Sequence, residues 1–165
     1  AELEQHVFRV SVITQNIDGL HERAGSREVV HLHGEILKAR SSVDHGLRYP
    51  LPRGGIRLGD LCDKGSQLRP DVVWFGEAVP LYAVAEEIAA EADLLLIVGT
   101  SLKVMPASNL YAAAPLDAPI VLVDPNADEL AEPGVLPLAE SAGQAVPRLV
   151  RHWLYQGHLG LPDTL

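Results

Sequence analysis

The chain is short of cysteine. A single thiol, Cys62, in 165 residues excludes an intramolecular disulfide framework and makes a thiolate-only zinc cluster impossible within one chain. It fits a reducing compartment, and a cytoplasmic location is the expectation. Long apolar runs are missing as well. The longest candidate, Leu94 to Val98, is far below the ~18 residues that a membrane span needs, and no charged-then-apolar leader opens the sequence. Basic charge is scarce, with 13 Lys and Arg against 22 Asp and Glu and a formal net charge of −9. Most of the surface therefore repels nucleic acid and anionic membrane, while a basic peptide is drawn in, although an acidic balance is also an ordinary way to stay soluble. What is present is a 47% apolar and 21% charged composition, the make-up of a folded globular chain with one respectable core.

The order of elements follows from periodicity and breakers. Ala1 to His6 reads as the last turns of a helix, with Leu3 and Val7 on one face and no cap before it. Phe8 to Thr14 is a β-branched, apolar strand that runs into the polar loop Gln15-Asn16-Ile17-Asp18-Gly19. Leu20 to Ala24 makes one helical turn, and Val29 to Leu32 a second strand that stops at His33-Gly34. Residues 41–69 carry Pro50, Pro52, Gly54, Gly55, Gly59 and Gly65 without periodicity, as a small inserted module would. A short strand over Val72 to Phe75 and a helix through Val84, Ile88 and Ala92 follow. Leu94 to Val98 is apolar without alternation, the habit of a parallel strand covered on both faces. Another such strand spans Ile120 to Val123 after a weak helix near Ala107 to Ala114, and Gln144 to Tyr155 is an amphipathic helix with Val146, Leu149, Val150 and Trp153 inward.

Strands alternating with helices predict an α/β fold, a doubly wound and mainly parallel Rossmann-like sheet. Its domain would comprise residues 1–40 and 70–165, with 41–69 inserted. Ligands in such sheets sit beyond the carboxyl ends of the strands. Four strands here end in polar or glycine-containing clusters: Gln15 to Asp18, His33-Gly34, Gly99 to Ser101 and Asp124 to Asn126. Together they offer close backbone approach, hydroxyls, a sugar-diol acceptor at Asp124, an amide pair, a carboxylate and an imidazole. A nucleotide with a reactive ribose fits that set, though each residue taken singly is more often a plain turn or a satisfied structural histidine.

Thr14-Gln15-Asn16-Ile17-Asp18-Gly19-Leu20-His21, Leu32-His33-Gly34-Glu35, Arg69-Pro70-Asp71-Val72-Val73-Trp74-Phe75-Gly76-Glu77 and Val98-Gly99-Thr100-Ser101-Leu102 resemble four successive sirtuin motifs, in that family's order. The likeness runs from about Val12 to Leu149. His21 to Gly25 with Gly34-Glu35 is most similar to the bacterial class that includes desuccinylases. The resemblance implies NAD as co-substrate and acyl-lysine proteins or peptides as partners. Gln15, Asn16, Ile17 and Asp18 would line the nicotinamide ribose and carboxamide, with Asn16 and Asp18 counted among the catalytic residues. His33 would be the general base, a task suited to histidine as a residue type because its ordinary pKa of ~6.5 leaves it a competent neutral base, and His31 a neighbour. Gly99, Thr100, Ser101, Asp124 and Ala142 would hold the rest of the dinucleotide. Val72, Val73, Trp74, Phe75 and Gly76 would pair with the substrate backbone as an added strand.

The sequence departs from the family in two places. Most sirtuins hold the small module with zinc on two Cys-x-x-Cys pairs, whereas here Cys62-Asp63-Lys64-Gly65 and Ser41-Ser42 stand in those places, so no metal is expected. The family's glycine-rich Gly-Ala-Gly loop, which would cradle the pyrophosphate, has no counterpart before Val12. An exposed edge left by that difference would favour self-association. The leading expectation is removal of acyl groups from protein lysines, acetyl first and succinyl or malonyl as further candidates, to give nicotinamide and O-acyl-ADP-ribose. The alternatives are an inactive truncated module that binds NAD or an acyl-peptide, and a protein ADP-ribosyltransferase.

Overall fold

The computed structural model describes residues 1–6 and 8–162. It divides into two compact units, Ala1–Ser11 with Tyr82–Leu165, and Val12–Leu81.

In the unit Val12–Leu81, strands β1 (Val12–Thr14) and β2 (Val29–His31) run parallel, in a register from Val12 opposite Val29 to Thr14 opposite His31. The one-turn helix α1 (Leu20–Arg23) lies between them in sequence, as expected. The first strand is shorter than the composition suggested: Phe8 is spent on the apolar core of the other unit. The start of the chain forms a single 3₁₀ turn at Leu3–Gln5, and Val7 lies outside the described residues.

The same unit contains a feature that periodicity missed. Strand β3 (Gly34–Ser41) is the centre of an antiparallel sheet in the order β4-β3-β5, with β4 at Arg48–Pro50 and β5 at Leu68–Val72. Residues 41–69, read from sequence as an insertion, are thus framed by strands that begin at Gly34 and end at Val72. The alternation that normally betrays a strand is broken because the register with β5 shifts between Glu35 and Ala39. Ile36 and Leu37, inside that irregularity, are exposed, so hydrophobic side chains point to solvent where an ideal strand would bury every second one. β5 also ends earlier than the expected Val72 to Phe75 strand. It is an edge strand and accommodates Pro70, whose missing N–H an edge tolerates.

Gly34 has no alternative at its position. Its φ is +83°, and a Cβ there would lie 2.0 Å from the carbonyl oxygen of Asp71, well inside van der Waals contact.

In the other unit, β6 (Leu95–Val98), β7 (Ile120–Val123) and β8 (Val135–Leu138) form a parallel sheet in that spatial order. Helix α2 (Tyr82–Ala90) precedes β6, a 3₁₀ segment (Ala107–Ala113) and α3 (Ala127–Leu130) flank β7 in sequence, and α4 (Ala142–Gln156) follows β8. β7 is covered on both faces: Val121 and Val123 pack with Leu138, Ala145, Leu149 and Trp153, while Leu122 packs with Ala127 and Val135. Alternate side chains of one strand thus enter two separate cores, the pattern of a doubly wound sheet. β6, at the edge of the three strands, is covered less fully than its unbroken apolar run implied, and Val98 is exposed. α4 closes at Gly157 in the left-handed conformation (φ +72°), and the Trp153 indole N–H donates to the Gly160 carbonyl at 3.1 Å. Among the described residues no helix is long and apolar enough to cross a membrane.

Gly34→Ala is expected to lower stability by about 3 kcal/mol or more, because strain at positive φ adds to the clash with the Asp71 carbonyl. Chemical denaturation measures this, and a loss under about 1 kcal/mol would contradict the account.

Candidate active site

The parallel pairing of β1 and β2 brings their carboxyl ends to one edge, and three consecutive carbonyls just beyond β1 are each held from the β2–β3 segment. The Gln15 carbonyl lies 3.1 Å from Nδ1 of His33, the Asn16 carbonyl 3.2 Å from Nδ1 of His31, and the Ile17 carbonyl accepts the Ile36 amide at 2.8 Å. Within the loop, the Thr14 hydroxyl accepts the Asn16 amide at 3.1 Å and the Asp18 carboxylate accepts the Leu20 amide at 3.0 Å. The backbone of Gln15 to Asp18 is fixed at nearly every residue.

These contacts distinguish the two histidines. A carbonyl can only accept, so each Nδ1 carries the proton. In His31 the second nitrogen, Nε2, lies 2.7 Å from the Glu22 carboxylate, and the ring is buried at 7% exposure. Burial is the largest single effect and opposes charge on that ring, but the hydrogen bonds to Glu22 and Asn16 outweigh it, and the His31 pKa is raised. Glu22 responds in the opposite direction: its hydrogen bond with His31 lowers the carboxyl pKa. His31 is therefore engaged at both ring nitrogens, in a structural role. In His33, half-buried, Nδ1 is committed to Gln15 and Nε2 has no hydrogen-bond partner among the described residues. The two histidines thus differ in what faces Nε2: a carboxylate in His31 and no described partner in His33.

The Val72 to Gly76 stretch belongs to the same unit. Gly34 pairs with Val72, and the Val73 amide donates to the His33 carbonyl at 2.9 Å. Trp74 to Glu77 then forms a β-turn closed by the Glu77 amide on the Trp74 carbonyl at 3.0 Å. Gly76 supplies the positive φ (+88°) that its third position needs. Phe75 stands at the tip, 99% exposed, with Trp74 exposed beside it.

The remaining candidates lie on the carboxyl rim of the parallel sheet in the other unit. Val98, Val123 and Leu138, the last residues of their strands, are in register, so Gly99 to Ser101, Asp124 to Asn126 and the residues leading to Ala142 leave from one edge. Gly99 (φ +62°) turns the chain while its amide reaches the Val123 carbonyl at 3.0 Å, and the Thr100 hydroxyl accepts the Leu102 amide at 3.2 Å. Leu102 itself is left-handed (φ +54°), a conformation that costs a non-glycine residue about 1–2 kcal/mol. Its packing in the core beneath β7 compensates. One Asp124 oxygen accepts the Asn126 amide at 2.9 Å, and the other has no hydrogen-bond partner among the described residues. Ala142 is the first residue of α4.

The expected set therefore falls into two groups: Gln15 to Asp18, His33 and Val72 to Gly76 in one unit, Gly99 to Ser101, Asp124 and Ala142 in the other. Sequence reasoning passed over Glu22 and Glu77. The i, i+9 spacing of Glu22 and His31 carries no periodic signal, and Glu77 was read only as the end of a motif.

A parallel α/β sheet with a glycine- and hydroxyl-bearing carboxyl rim defines a nucleotide-binding class of protein. The comparison with known families is more specific. The model of the Sir2 family matches residues 1–106, and the chain belongs to that family. An NAD-dependent protein deacylase of Helicobacter pylori is 50% identical over 151 residues, which is 91% of this chain and 65% of the relative. A Sir2 homologue solved as an ADP-ribose complex superposes with a TM-score of 0.80 at 36% identity, over 98% of this chain and 67% of that one. A Sir2 complex with a p53 peptide and NAD gives 0.65 at 30% identity, over 90% and 63%. The chain thus spans about two thirds of the length of the proteins it matches.

The zinc common in this family does not fit the residues present. Among the described residues there is no group of three His, Cys, Asp or Glu side chains placed to hold a metal ion. Cys62 is buried, with its thiol 3.4 Å from the Ser41 hydroxyl, and that hydroxyl accepts the amides of Val43 and Asp44. Lys64 and Asp44 pair at 2.7 Å alongside. One thiol and a backbone-engaged serine do not make a tetrahedral site.

The His31–Glu22 pair gives two pH signatures. With its pKa raised above 6.5, His31 contributes stability that is complete below 6.5 and lost as pH rises through the raised value. With its pKa lowered from 4.5, Glu22 contributes above 4.5 and loses that as acid titrates it. An NMR titration of the His31 ring is expected to show Glu22→Gln lowering its midpoint, and an unchanged midpoint would contradict the pairing. Separately, EDTA is expected to leave the thermal midpoint unchanged, whereas a chelator-induced fall would mean that a metal does hold the segment around Cys62.

Proposed function

We propose that this chain carries the catalytic part of an NAD-dependent protein-lysine deacylase acting in the cytoplasm. The observation that carries the reading is the unequal pair of histidines: His31 is engaged at both ring nitrogens, whereas His33 is held by one and keeps a lone pair on the other. Family membership and the names of the relatives support the choice of co-substrate. The single, buried and unpaired Cys62 agrees with a reducing compartment.

NAD would supply an anomeric carbon from which nicotinamide departs, so that the acyl carbonyl oxygen of the substrate lysine can attack it. Asn16 and Asp18, with Gln15 and Ile17 beside them, would line the nicotinamide ribose and carboxamide, on a loop whose rigidity keeps that side of the site from reorganising. Nε2 of His33 would then remove a proton from a ribose hydroxyl, which attacks the resulting imidate. Departure of the lysine amine, which takes up a proton, and addition of one water molecule to the bridged sugar cation then give free lysine and O-acyl-ADP-ribose. Gly99, Thr100 and Ser101 would line ribose and phosphate, the unengaged oxygen of Asp124 would accept from the adenosine diol, and the backbone at Ala142 would meet the adenine. Val72 to Gly76 would receive the substrate backbone as an added strand.

The test is nicotinamide release from NAD in the presence of an acetyl-lysine peptide. His33→Ala is expected to reduce peptide-dependent release by about 10²–10⁴-fold, the range for loss of a general base. Equal release by both proteins above a blank would remove His33 from the mechanism. Mass spectrometry of the peptide separates a lost acyl group from a gained ADP-ribose.

A further inference from the structure

A row of arginines crosses the antiparallel sheet, and the proposed function gives them no task. Arg40 of β3 is paired in register with Arg48 of β4 on one side and Arg69 of β5 on the other. Like charges on directly opposed residues are destabilising. The row is tolerated because two carboxylates interleave it. Asp71 lies 3.0 Å from Arg48 and 3.7 Å from Arg40, and Glu77 lies 2.8 Å from Arg40 and 2.7 Å from Arg69. Arg40 is almost wholly buried, at 2% exposure. Burying a guanidinium is costly unless it is well paired, so its contacts need an account.

Those contacts converge on the turn after β5. Nη2 of Arg40 donates to the Val72 carbonyl at 3.1 Å as well as to Glu77. The Glu77 carboxylate in turn accepts the Trp74 amide at 3.0 Å, and Arg69, donating to both of its oxygens, lies 5.8 Å from the Trp74 ring centroid. The Trp74 amide, ahead of Arg69, holds the Glu77 carboxyl below its usual pKa. The buried guanidinium thus grips the last carbonyl of β5 and, through one carboxylate, the first amide of the turn that displays Trp74 and Phe75.

We infer that Arg40, acting through Glu77, is a positioning residue that fixes the Val72–Glu77 segment in the conformation that receives the substrate peptide. The inference rests on the substrate-strand reading given above. Arg48, whose side chain pairs with Asp71 alone among the described residues and is half-exposed, serves as the control. Arg40→Met and Glu77→Gln are compared with Arg48→Met, with kcat and the KM values for acetyl-lysine peptide and for NAD measured separately. Glu77→Gln retains an acceptor for the Trp74 amide and covers the case in which Arg40→Met does not fold. The expected result is a peptide KM raised about tenfold or more in Glu77→Gln, the scale of losing a charge-assisted hydrogen bond, with the KM for NAD and the behaviour of Arg48→Met unchanged. Arg40→Met combined with Glu77→Gln should cost little more than either alone, since the two act in series. A peptide KM unmoved by Glu77→Gln overturns the positioning role while leaving the deacylase reading intact. So does an equal rise in both KM values, the mark of general loosening. Absence of peptide-dependent nicotinamide release from the unaltered chain overturns the deacylase reading, and with it the substrate strand.

Discussion

The pinning of three successive carbonyls, those of Gln15, Asn16 and Ile17, is the constraint on which the candidate site depends. A loop that follows a strand is ordinarily the most mobile part of an α/β unit. Here each carbonyl is claimed by a different group of one neighbouring segment, the His33 ring, the His31 ring and the Ile36 amide. The arrangement works in both directions. The rings hold the loop, and the loop, by offering only acceptors, sets the tautomer of each ring. That reciprocity leaves Nε2 of His33 unengaged among the described residues, whereas Glu22 occupies Nε2 of His31. The chemical difference between two histidines two residues apart comes from what faces their second nitrogen.

Much of this was legible in the sequence. The parallel strands at Ile120 to Val123 and Leu95 to Val98 were readable from unbroken apolar runs, and the carboxyl-edge position of Gly99 to Ser101 and Asp124 followed from fold class alone. His33 was preferred to His31 on the strength of the family likeness, and the structure adds a physical reason for treating the two differently. What stayed hidden has identifiable causes. β3 was invisible because the register shift exposes Ile36 and Leu37 and removes the period-2 signal. β8, Val135–Leu138, contains Pro137 and buries only its two end residues, so it shows no alternation. The Glu22–His31 pair and the Arg40 network join residues with no fixed spacing, and no pattern within a single chain records such contacts before folding.

The segment around Cys62 illustrates another kind of substitution. Where the family resemblance implies metal–thiolate bonds, a serine hydroxyl here receives a thiol and two backbone amides, and a surface ion pair lies alongside. These contacts are weaker singly than coordination. They are distributed along a sheet that also carries the buried Arg40 and Asp71, so the segment shares its stability with the Trp74–Glu77 turn instead of depending on one centre.

Gly34 carries a consequence for how such chains drift under mutation. It sits next to the proposed base, a position that invites a catalytic reading. Yet its restriction comes from the oxygen of Asp71 directly behind it, and no substrate contact is needed to account for it. Selection against change at this codon would persist in a homologue that had lost all turnover, provided the fold was kept, so an intact His-Gly pair testifies to architecture before it testifies to catalysis.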